Sequence, residues 1–262
     1  MMTFLRGIAG VFFVLGGVVG FTHFFGGALP ITSAAGEWDI AQGRFFTQTA
    51  EGALPGYGYA VIDDQVAGFW TEFQRLGGVS VVGYPVSRRY ICDGYICQAF
   101  QKMILRWEGH EGRVSVVSVF EQLSALGYDQ LIDMDWMVPN TSAFNERGLD
   151  WNTVAGRRLR LLDREEDFRQ FFFGVSDDWI RFHGLPLGPI AEYEAVRVLR
   201  TQKTVLQQWR MDTPWAKAGE VILANGGLLA REYGLIPEES LRFEAGIDYL
   251  RAPMAGPSEG EA

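Results

Sequence analysis

Residues 83–107 read GYPVSRRYICDGYICQAFQKMILRW, and residues 184–209 read GLPLGPIAEYEAVRVLRTQKTVLQQW. From Gly83 through Leu105 the two stretches match at a constant offset of 101 residues. The matched positions are Gly83, Pro85, Gln101 and Trp107 in the first stretch and Gly184, Pro186, Gln202 and Trp209 in the second. Two matched blocks at equal spacing indicate an internal duplication. A duplicated small module is typical of a binding or scaffolding protein.

Each Gly-x-Pro motif predicts a turn. Glycine allows backbone conformations that a side chain would prevent, and proline fixes its own φ and keeps the preceding residue extended. Trp107 and Trp209 have two interpretations, which are core packing and an exposed platform on which a sugar ring stacks. Because turns lie at the surface, Tyr84 and Tyr95 are the predicted ligand contacts.

Both cysteines of the chain, Cys92 and Cys97, flank the dipeptide Asp93-Gly94. Asp-Gly between two β-rich triplets predicts a two-residue hairpin turn. In that register the two cysteines lie diagonally on one face, where their sulfur atoms can bond. A disulfide is the favoured interpretation, because an exported protein meets an oxidising compartment. A reactive redox pair and two buried thiols are the alternatives.

The first 35 residues have the pattern of an export segment. Arg6 precedes an uncharged, largely apolar stretch that runs through residue 35, and one positive charge before such a stretch is typical of export. Residues 7–29 are long enough to span a bilayer, which predicts a membrane anchor. The small residues at 33–35 suit a cleavage site, so a cleaved signal peptide is the second interpretation. A buried core helix is the third, and the glycines in this stretch disfavour it.

The composition excludes wholesale disorder and argues against a nucleic-acid partner. Hydrophobic residues make up 48% of the 262 residues, which is enough for a packed core. The net charge is −9, and the chain has no cluster of Lys and Arg that could follow a phosphate backbone. An anionic lipid surface would not attract such a chain electrostatically.

The apolar periodicity and the turn signals predict an α+β fold. We expect a tandem repeat of β-hairpin-plus-short-helix modules behind an N-terminal hydrophobic helix. The expected organisation is a signal anchor or signal peptide at 1–35, repeat module 1 at 36–133, a connector at 134–162, repeat module 2 at 163–251 and a disordered tail at 252–262. Within module 1 we expect an extended lead-in through residue 62 and a helix that ends at Gly77-Gly78.

A family resemblance rests on the first stretch and the helix before it. An aromatic-rich helix at 66–76 ends in Gly-Gly, a Val-Gly-Tyr-Pro turn follows at 82–85, and a hairpin ends in an aromatic residue, Trp107. These features resemble an LGFP-type repeat over residues 66–107 and, more loosely, over 179–209. The resemblance implies an exported bacterial cell-envelope protein with a non-catalytic, wall-associated role.

The second half is also similar to uncharacterised exported bacterial modules. The resemblance is carried by three motifs, Pro214-Trp215-Ala216, Asn225-Gly226-Gly227 and Gly234-Leu235-Ile236-Pro237. It implies a shared fold more than a shared ligand.

The sequence contains no recognisable catalytic, cofactor or metal motif. The three histidines, His23, His110 and His183, are far apart and lack a neighbouring nucleophile pattern. No phosphate loop or dinucleotide fingerprint occurs. Acidic pairs such as Glu165-Glu166 are interpreted as solvated surface rather than as the carboxylates of a glycosidase. We therefore expect no cofactor, no metal site and no enzymatic activity.

The expected function is that of a non-catalytic, membrane-anchored or secreted cell-envelope binding or scaffold protein. Its expected partner is a cell-wall glycan or an envelope protein. One alternative is a wall-active hydrolase with unidentified carboxylates, which a cleft with two acids of raised pKa would favour. The other alternative is an accessory subunit of a membrane protein complex, which a broad apolar patch would favour.

Overall fold

A computed structural model describes residues 36–50 and 53–250, and these fold into three four-stranded antiparallel sheets joined by short helices. This mixture of sheet and helix confirms the predicted α+β class. The predicted anchor or signal peptide at 1–35 and the predicted tail at 252–262 lie outside the described residues and stay predictions. In the described ranges no helix is both long enough and apolar enough to cross a membrane.

The N-terminal sheet joins the beginning of the described chain to its end. Its strands, in sheet order, are β1 Glu37–Ile40, β2 Gly43–Phe46, β3 Tyr57–Ile62 and β12 Glu244–Ala245. Glu244 pairs with Gly58, and its carboxylate accepts a hydrogen bond from the Ala60 N–H at 2.9 Å. The sequence predicted only an extended lead-in through residue 62, because strands this short show little alternation and one partner comes from the far end of the chain.

Two further sheets hold the matched stretches. The first central sheet has the order β4-β5-β6-β7, with β4 Pro85–Cys92, β5 Tyr95–Phe100, β6 Ile104–Glu108 and β7 Arg113–Val116. The second central sheet has the order β11-β10-β9-β8, with β8 Ala191–Glu192, β9 Val196–Arg200, β10 Val205–Trp209 and β11 Val221–Leu223.

The helices are short and lie between these strands. They are α1 Phe69–Arg75, α2 Gly78–Val81, α3 Val119–Ala125, α4 Asp129–Trp136, α5 Trp151–Leu159, α6 Glu166–Gly174, α7 Trp179–Phe182, α8 Gly226–Glu232 and α9 Ile247–Leu250, with 3-10 turns at Arg160–Leu162 and Glu238–Leu241. The predicted connector at 134–162 is partly helical, because the Asp150 carboxylate caps α5 by accepting the Thr153 N–H at 3.1 Å.

The two Gly-x-Pro turns make the same contacts 101 residues apart. The Tyr84 N–H donates to the Gln101 side-chain oxygen at 3.0 Å, and the Leu185 N–H donates to that of Gln202 at 2.8 Å. The backbone N–H of each glutamine donates in return, to the Tyr84 carbonyl at 2.9 Å and to the Leu185 carbonyl at 3.0 Å. Each glutamine therefore closes its turn with two hydrogen bonds.

The lysine that follows each glutamine donates a hydrogen bond to the helix before the turn. Lys102 Nζ donates to the Ser80 carbonyl at 2.5 Å, and Lys203 Nζ donates to the Arg181 carbonyl at 2.9 Å. These carbonyls lie near the carboxyl ends of α2 and α7, where a cation is favourable. Burial lowers the pKa of both ammonium groups. The Gln-Lys pair is thus a local structural unit in both halves.

The strand register repeats as well, but the two tryptophans do not correspond. Pairing of β5 with β6 recurs in β9 with β10 at the same offset of 101 residues. In the first half Trp107 of β6 lies opposite Val114 of β7. In the second half the same place in β10 is taken by Gln208, which lies opposite Val221 of β11. Trp107 and Trp209 therefore lie in the equivalent strands β6 and β10, but at positions one residue apart. Because adjacent strand residues face opposite ways, the two rings pack against different hydrophobic clusters.

Helices α3 and α8 correspond at a longer offset of 107 residues. The bond from the Tyr128 N–H to the Leu123 carbonyl, at 3.0 Å, recurs from the Leu235 N–H to the Ala230 carbonyl, at 2.8 Å. The change of offset from 101 to 107 means that six extra residues lie between paired positions of β10 and β11 compared with β6 and β7. This longer loop, residues 210–220, is the main difference between the two matched halves.

The cysteine hairpin forms in the predicted register. Asp93 and Gly94 have φ angles of 50° and 80°, and Cys92 lies opposite Tyr95. Both central residues of a type I′ turn have such positive φ angles. Cys92 and Cys97 lie at disulfide distance, with Cα atoms 5.9 Å apart. The hairpin prediction is confirmed.

The two halves share their hydrophobic core. One cluster contains Phe100 and Leu206, and the other contains Phe120 and Leu229, so each takes side chains from both halves. Arg200, which is 1% exposed, adds a buried polar link. Its guanidinium donates to Asp129 at 2.9 Å and to the carbonyls of Phe120 and Pro139 at 2.8 and 3.0 Å.

The Asn-Gly-Gly motif explains a further contact between the halves. The Gly227 and Leu228 N–H groups, at the start of α8, donate to the Gln101 carbonyl at 3.1 and 3.0 Å. A methyl group on Gly227 would lie 1.7 Å from the Phe100 carbonyl oxygen. Only glycine therefore allows α8 to approach the first glutamine turn this closely.

We predict that Gly83→Ala and Gly184→Ala each lower the free energy of unfolding by about 2–3 kcal/mol, from unfavourable φ and overpacking. The φ angles are 86° and 71°, and a methyl group at either position would lie 2.7 Å from the Cβ of the opposing glutamine. Chemical denaturation measures the loss. Gly127→Ala is the control, because its φ is 81° with open space around it, and we expect it to cost about 1 kcal/mol. Equal losses in all three variants would contradict the proposed crowding by glutamine.

Candidate functional site

An open recess lies between the β1–β2 hairpin and the start of α1. Its volume is about 890 Å³. Half-buried Trp70 contributes the aromatic surface. The polar side chains that line the recess are Asp39, Gln42, Arg44, Asp63, Asp64, Gln65 and Gln74. An aromatic ring beside several hydrogen-bonding side chains offers a sugar both a stacking surface and partners for its hydroxyls.

Asp63 positions Trp70 at this recess. Its carboxylate accepts the Trp70 N–H at 2.7 Å and the Thr71 N–H at 3.1 Å. The carboxylate thus satisfies two of the free N–H groups that open α1. The Trp70 ring stacks on Phe73, with ring centroids 5.6 Å apart, and tilts against Phe46 at 6.4 Å. Backbone and ring are therefore both held in place by the fold.

Arg44 stands over the Trp70 ring, with its guanidinium carbon 5.9 Å from the ring centroid. Two ion pairs hold it there, to Glu37 and to Asp39, each at 2.9 Å. The hydrogen bond to Asp39 is the main cause that raises the pKa of Arg44. The charge of Arg44 is thus neutralised locally by its own hairpin.

The uncharged polar side chains that line the recess are three exposed glutamines, Gln42, Gln65 and Gln74. Each carries both a carbonyl acceptor and an amide donor, and hydroxyl groups can bond to either. The recess therefore combines a preformed aromatic surface with three neutral groups that recognise hydroxyls.

The structure places the predicted contacts Tyr84 and Tyr95 apart from this recess. Tyr84 is half-buried and packs edge-on against Phe46, with ring centroids 6.0 Å apart. Tyr95 is 39% exposed at the hairpin, and the guanidinium carbon of Arg106 lies 4.5 Å from its ring centroid. Neither lines the recess. Their role as ligand contacts stays a prediction.

The sequence does not predict the recess, because its groups come from separate segments. Trp70 follows the apolar spacing of a helix, which predicts a packed ring, although the ring reaches the surface. Gln42 precedes β2 and Gln74 lies on α1, and no spacing rule connects them. The available signal is Asp63-Asp64 before an aromatic helix, which is typical of a helix start but says nothing of the hairpin beside it.

Many of the described acids are partners in ion pairs and hydrogen bonds. Every described carboxyl group whose pKa departs from its ordinary value is shifted downward, and these are Asp64, Glu72, Glu108, Glu146, Asp150, Glu192 and Asp212. Although burial opposes the shift at Glu72, hydrogen bonds from Arg75 and the Val114 N–H lower its pKa. The proposed mark of a hydrolase, two acids of raised pKa in one cleft, does not occur among the described residues. Nor do three or more His, Cys, Asp or Glu side chains gather there as a metal site would need.

His183 is fully buried next to the second glutamine turn, at the position that Val82 takes in the first half. Its ring stacks on Phe172, with centroids 4.7 Å apart, and its Nδ1 lies 2.6 Å from Thr204 Oγ1. Its Nε2 has no hydrogen-bond partner among the described residues. Burial lowers its pKa to about 3, so the ring is neutral in the folded protein.

No family model, no curated protein and no solved structure matches this chain. The resemblance to an LGFP-type repeat stays a prediction that rests on the sequence motifs alone.

We predict that His183 makes folding sensitive to mild acid. In the unfolded chain a histidine binds a proton near pH 6.5, whereas the buried ring does so only near pH 3. Above pH 6.5 the histidine is neutral in both states and does not affect stability. Below pH 6.5 only the unfolded chain binds the proton, so the free energy of unfolding falls by about 1.4 kcal/mol per pH unit. Denaturant titrations between pH 6.5 and 5 measure this slope, since carboxyl groups titrate mainly below that range.

The matched variants are His183→Val, which copies the residue of the first half, and His110→Gln. The His110 side chain is 73% exposed. We expect the slope to disappear in His183→Val and to persist in His110→Gln. A slope that survives in His183→Val would show that another group causes it.

Proposed function

We propose that the chain is a non-catalytic binding module that holds an uncharged region of a polysaccharide in the recess at Trp70. The observation that carries this proposal is the half-buried indole beside Gln42, Gln65 and Gln74. A sugar ring presents an apolar face and a rim of hydroxyls. The indole can stack on the apolar face, and the glutamine amides can bond to the hydroxyls. The open shape suits a segment of a longer chain, which can enter and leave without threading.

The charge distribution favours a neutral ligand. Arg44 is paired with Glu37 and Asp39, and Asp64 is paired with Arg89 at 2.9 Å. Both arginines are thus occupied by acids, and Asp63 adds a further carboxylate to the lining, so the recess has no positive field that would select a phosphate or a sulfate. The glutamine amides then provide most of the hydrogen-bonding capacity open to a ligand.

The location proposed for this function is the cell envelope. Residues 7–29 provide the apolar stretch for an anchor, or for a secretion signal if the chain is cleaved near Ala35. The cysteine pair at disulfide distance agrees with an oxidising compartment. The resemblance of the first half to an LGFP-type repeat also favours a wall polysaccharide or an envelope protein as partner.

We also infer that the two halves descend from one duplicated unit. The matching turn bonds of Gln101 and Gln202, the repeated strand register and the corresponding helices support this inference. The recess at Trp70 belongs to the first half and to the N-terminal sheet. Binding is therefore proposed for one half, and a supporting role for the other.

We predict that Trp70→Ala lowers retention of the purified full-length chain on insoluble cell-wall polysaccharide at least fivefold. The indole supplies the stacking surface, and an aromatic contact of this kind contributes about 1 kcal/mol or more. Sedimentation with wall sacculi, with the chain held in mild detergent, measures retention. The double variant Gln42→Ala/Gln74→Ala should show a similar loss and leaves the packing against Phe73 intact.

The matched control is Trp151→Ala, because Trp151 is 57% exposed on α5 and does not line the recess. We expect its retention to equal that of the wild type. Unchanged retention in both recess variants, or an equal loss in Trp151→Ala, would refute glycan binding at this recess.

A further inference from the structure

A second, narrower groove runs along the outer edge of the first central sheet. It lies between β7, α1 and the segment 176–182, and its volume is about 380 Å³. Its walls include Glu72 and Arg75 of α1, and Asp177 and Arg181 of the facing segment. A groove of this size holds a small ligand or a few residues of peptide rather than a folded domain.

The strand at the bottom of the groove turns alternate backbone groups outward. The Val117 N–H donates to the Ile104 carbonyl at 2.9 Å, which marks this pair as hydrogen-bonded. In an antiparallel ladder hydrogen-bonded and non-hydrogen-bonded pairs alternate. Val114 and Val116 therefore occupy the non-bonded positions opposite β6, and their N–H and C=O groups point away from it.

Only part of this edge is satisfied by the protein itself. The Glu72 carboxylate accepts the Val114 N–H at 3.0 Å. The Val114 carbonyl and the Val116 N–H make no hydrogen bond with any other described residue. Val116 is nevertheless only 3% exposed. Buried backbone groups are normally paired, so two neighbouring groups without partners mark a place for an incoming one.

The charges around the groove are largely neutralised by one another. Arg75 is bonded to Glu72 at 2.7 Å, and Arg181 is paired with Glu111 at 2.5 Å. Arg113 lies 3.3 Å from Asp178. The groove therefore shows no preference for a highly charged ligand. The groups available to a ligand are the backbone N–H and C=O groups of the free strand edge.

We propose that this groove binds a short extended peptide without strong net charge, which adds to β7 as a parallel strand. One peptide residue opposite Ser115 would accept the Val116 N–H and donate its own N–H to the Val114 carbonyl. In a parallel pair a single residue makes both of these bonds to residues two apart. The hydrogen bond that the Val114 N–H donates to the Glu72 carboxylate remains undisturbed. Recognition is through the peptide backbone, as in other cases of strand addition.

The test uses the full-length chain and a phage-displayed library of random dodecapeptides as the probe. Enriched peptides are synthesised, and their affinity is measured by calorimetry on the wild type and on Val116→Pro. Proline removes the outward N–H but none of the bonds to β6, and edge strands accept proline where the N–H faces outward. Because the Val116 side chain packs in the hydrophobic core, circular dichroism checks that this variant folds. We expect binding to Val116→Pro at least tenfold weaker than to the wild type, and slower hydrogen exchange of the Val116 amide when peptide is bound to the wild type.

A second variant tests the same groove without changing β7, so the proposal stays testable if Val116→Pro misfolds. Asp177→Trp places a bulky side chain at an exposed position of the groove wall, and it should also abolish peptide binding. Retention on wall polysaccharide should be unchanged in both variants, because the recess at Trp70 is a separate site. Failure to enrich any peptide on the wild type, or equal affinity for the wild type and Asp177→Trp, would overturn the proposal.

Discussion

The hydrogen bonds between a glutamine side chain and a Gly-x-Pro turn set the geometry on which the rest of this structure depends. Each turn must reverse the chain between a short helix and the first strand of a central sheet. The glutamine, which follows β5 in the first half and β9 in the second, closes the turn through both its backbone and its side chain. Because that side chain fills the space beside the glycine, no other residue fits there without displacement. The adjacent lysine then fixes the helix that enters the turn.

The two halves differ where function is proposed. The first half packs against the N-terminal sheet, and their junction creates the recess at Trp70. The second half has no such sheet of its own among the described residues, and carries instead a longer loop between β10 and β11. The end of the described chain returns to complete the N-terminal sheet, where Tyr59 Oη donates to the Leu241 carbonyl at 2.7 Å. Chain closure thus stabilises the side of the molecule that holds the recess.

Local signals in the sequence predicted local structure well. The hairpin at Asp93-Gly94, the helix before Gly77 and the α+β class all follow from turn chemistry and apolar spacing. Trp107 and Trp209 match in residue type, but Trp107 follows Gln101 by six residues and Trp209 follows Gln202 by seven. The two tryptophans are therefore not equivalent positions. In a strand one residue of shift reverses the face.

Such local signals do not predict contacts between segments that are far apart in the chain. The pairing of Glu244 with Gly58, the buried guanidinium of Arg200 and the outward groups of Val116 each depend on segments far apart in the chain. The recess at Trp70 belongs to the same class, since its aromatic and amide groups meet only after the β1–β2 hairpin folds against α1. Hydrophobic periodicity records which face is buried, but not which distant segment covers it.

Amide hydrogen exchange at Tyr84 and Leu185, followed by NMR in the full-length chain, tests the central claim most directly. The account predicts that both amides are protected in the wild type, because each is bonded to a glutamine side chain in its own half. In Gln101→Met the Tyr84 amide should exchange at least tenfold faster while Leu185 keeps its protection, and Gln202→Met should show the reverse. Exchange at the rate of an unstructured chain at either amide of the wild type, or no change at Tyr84 in Gln101→Met, would contradict the account.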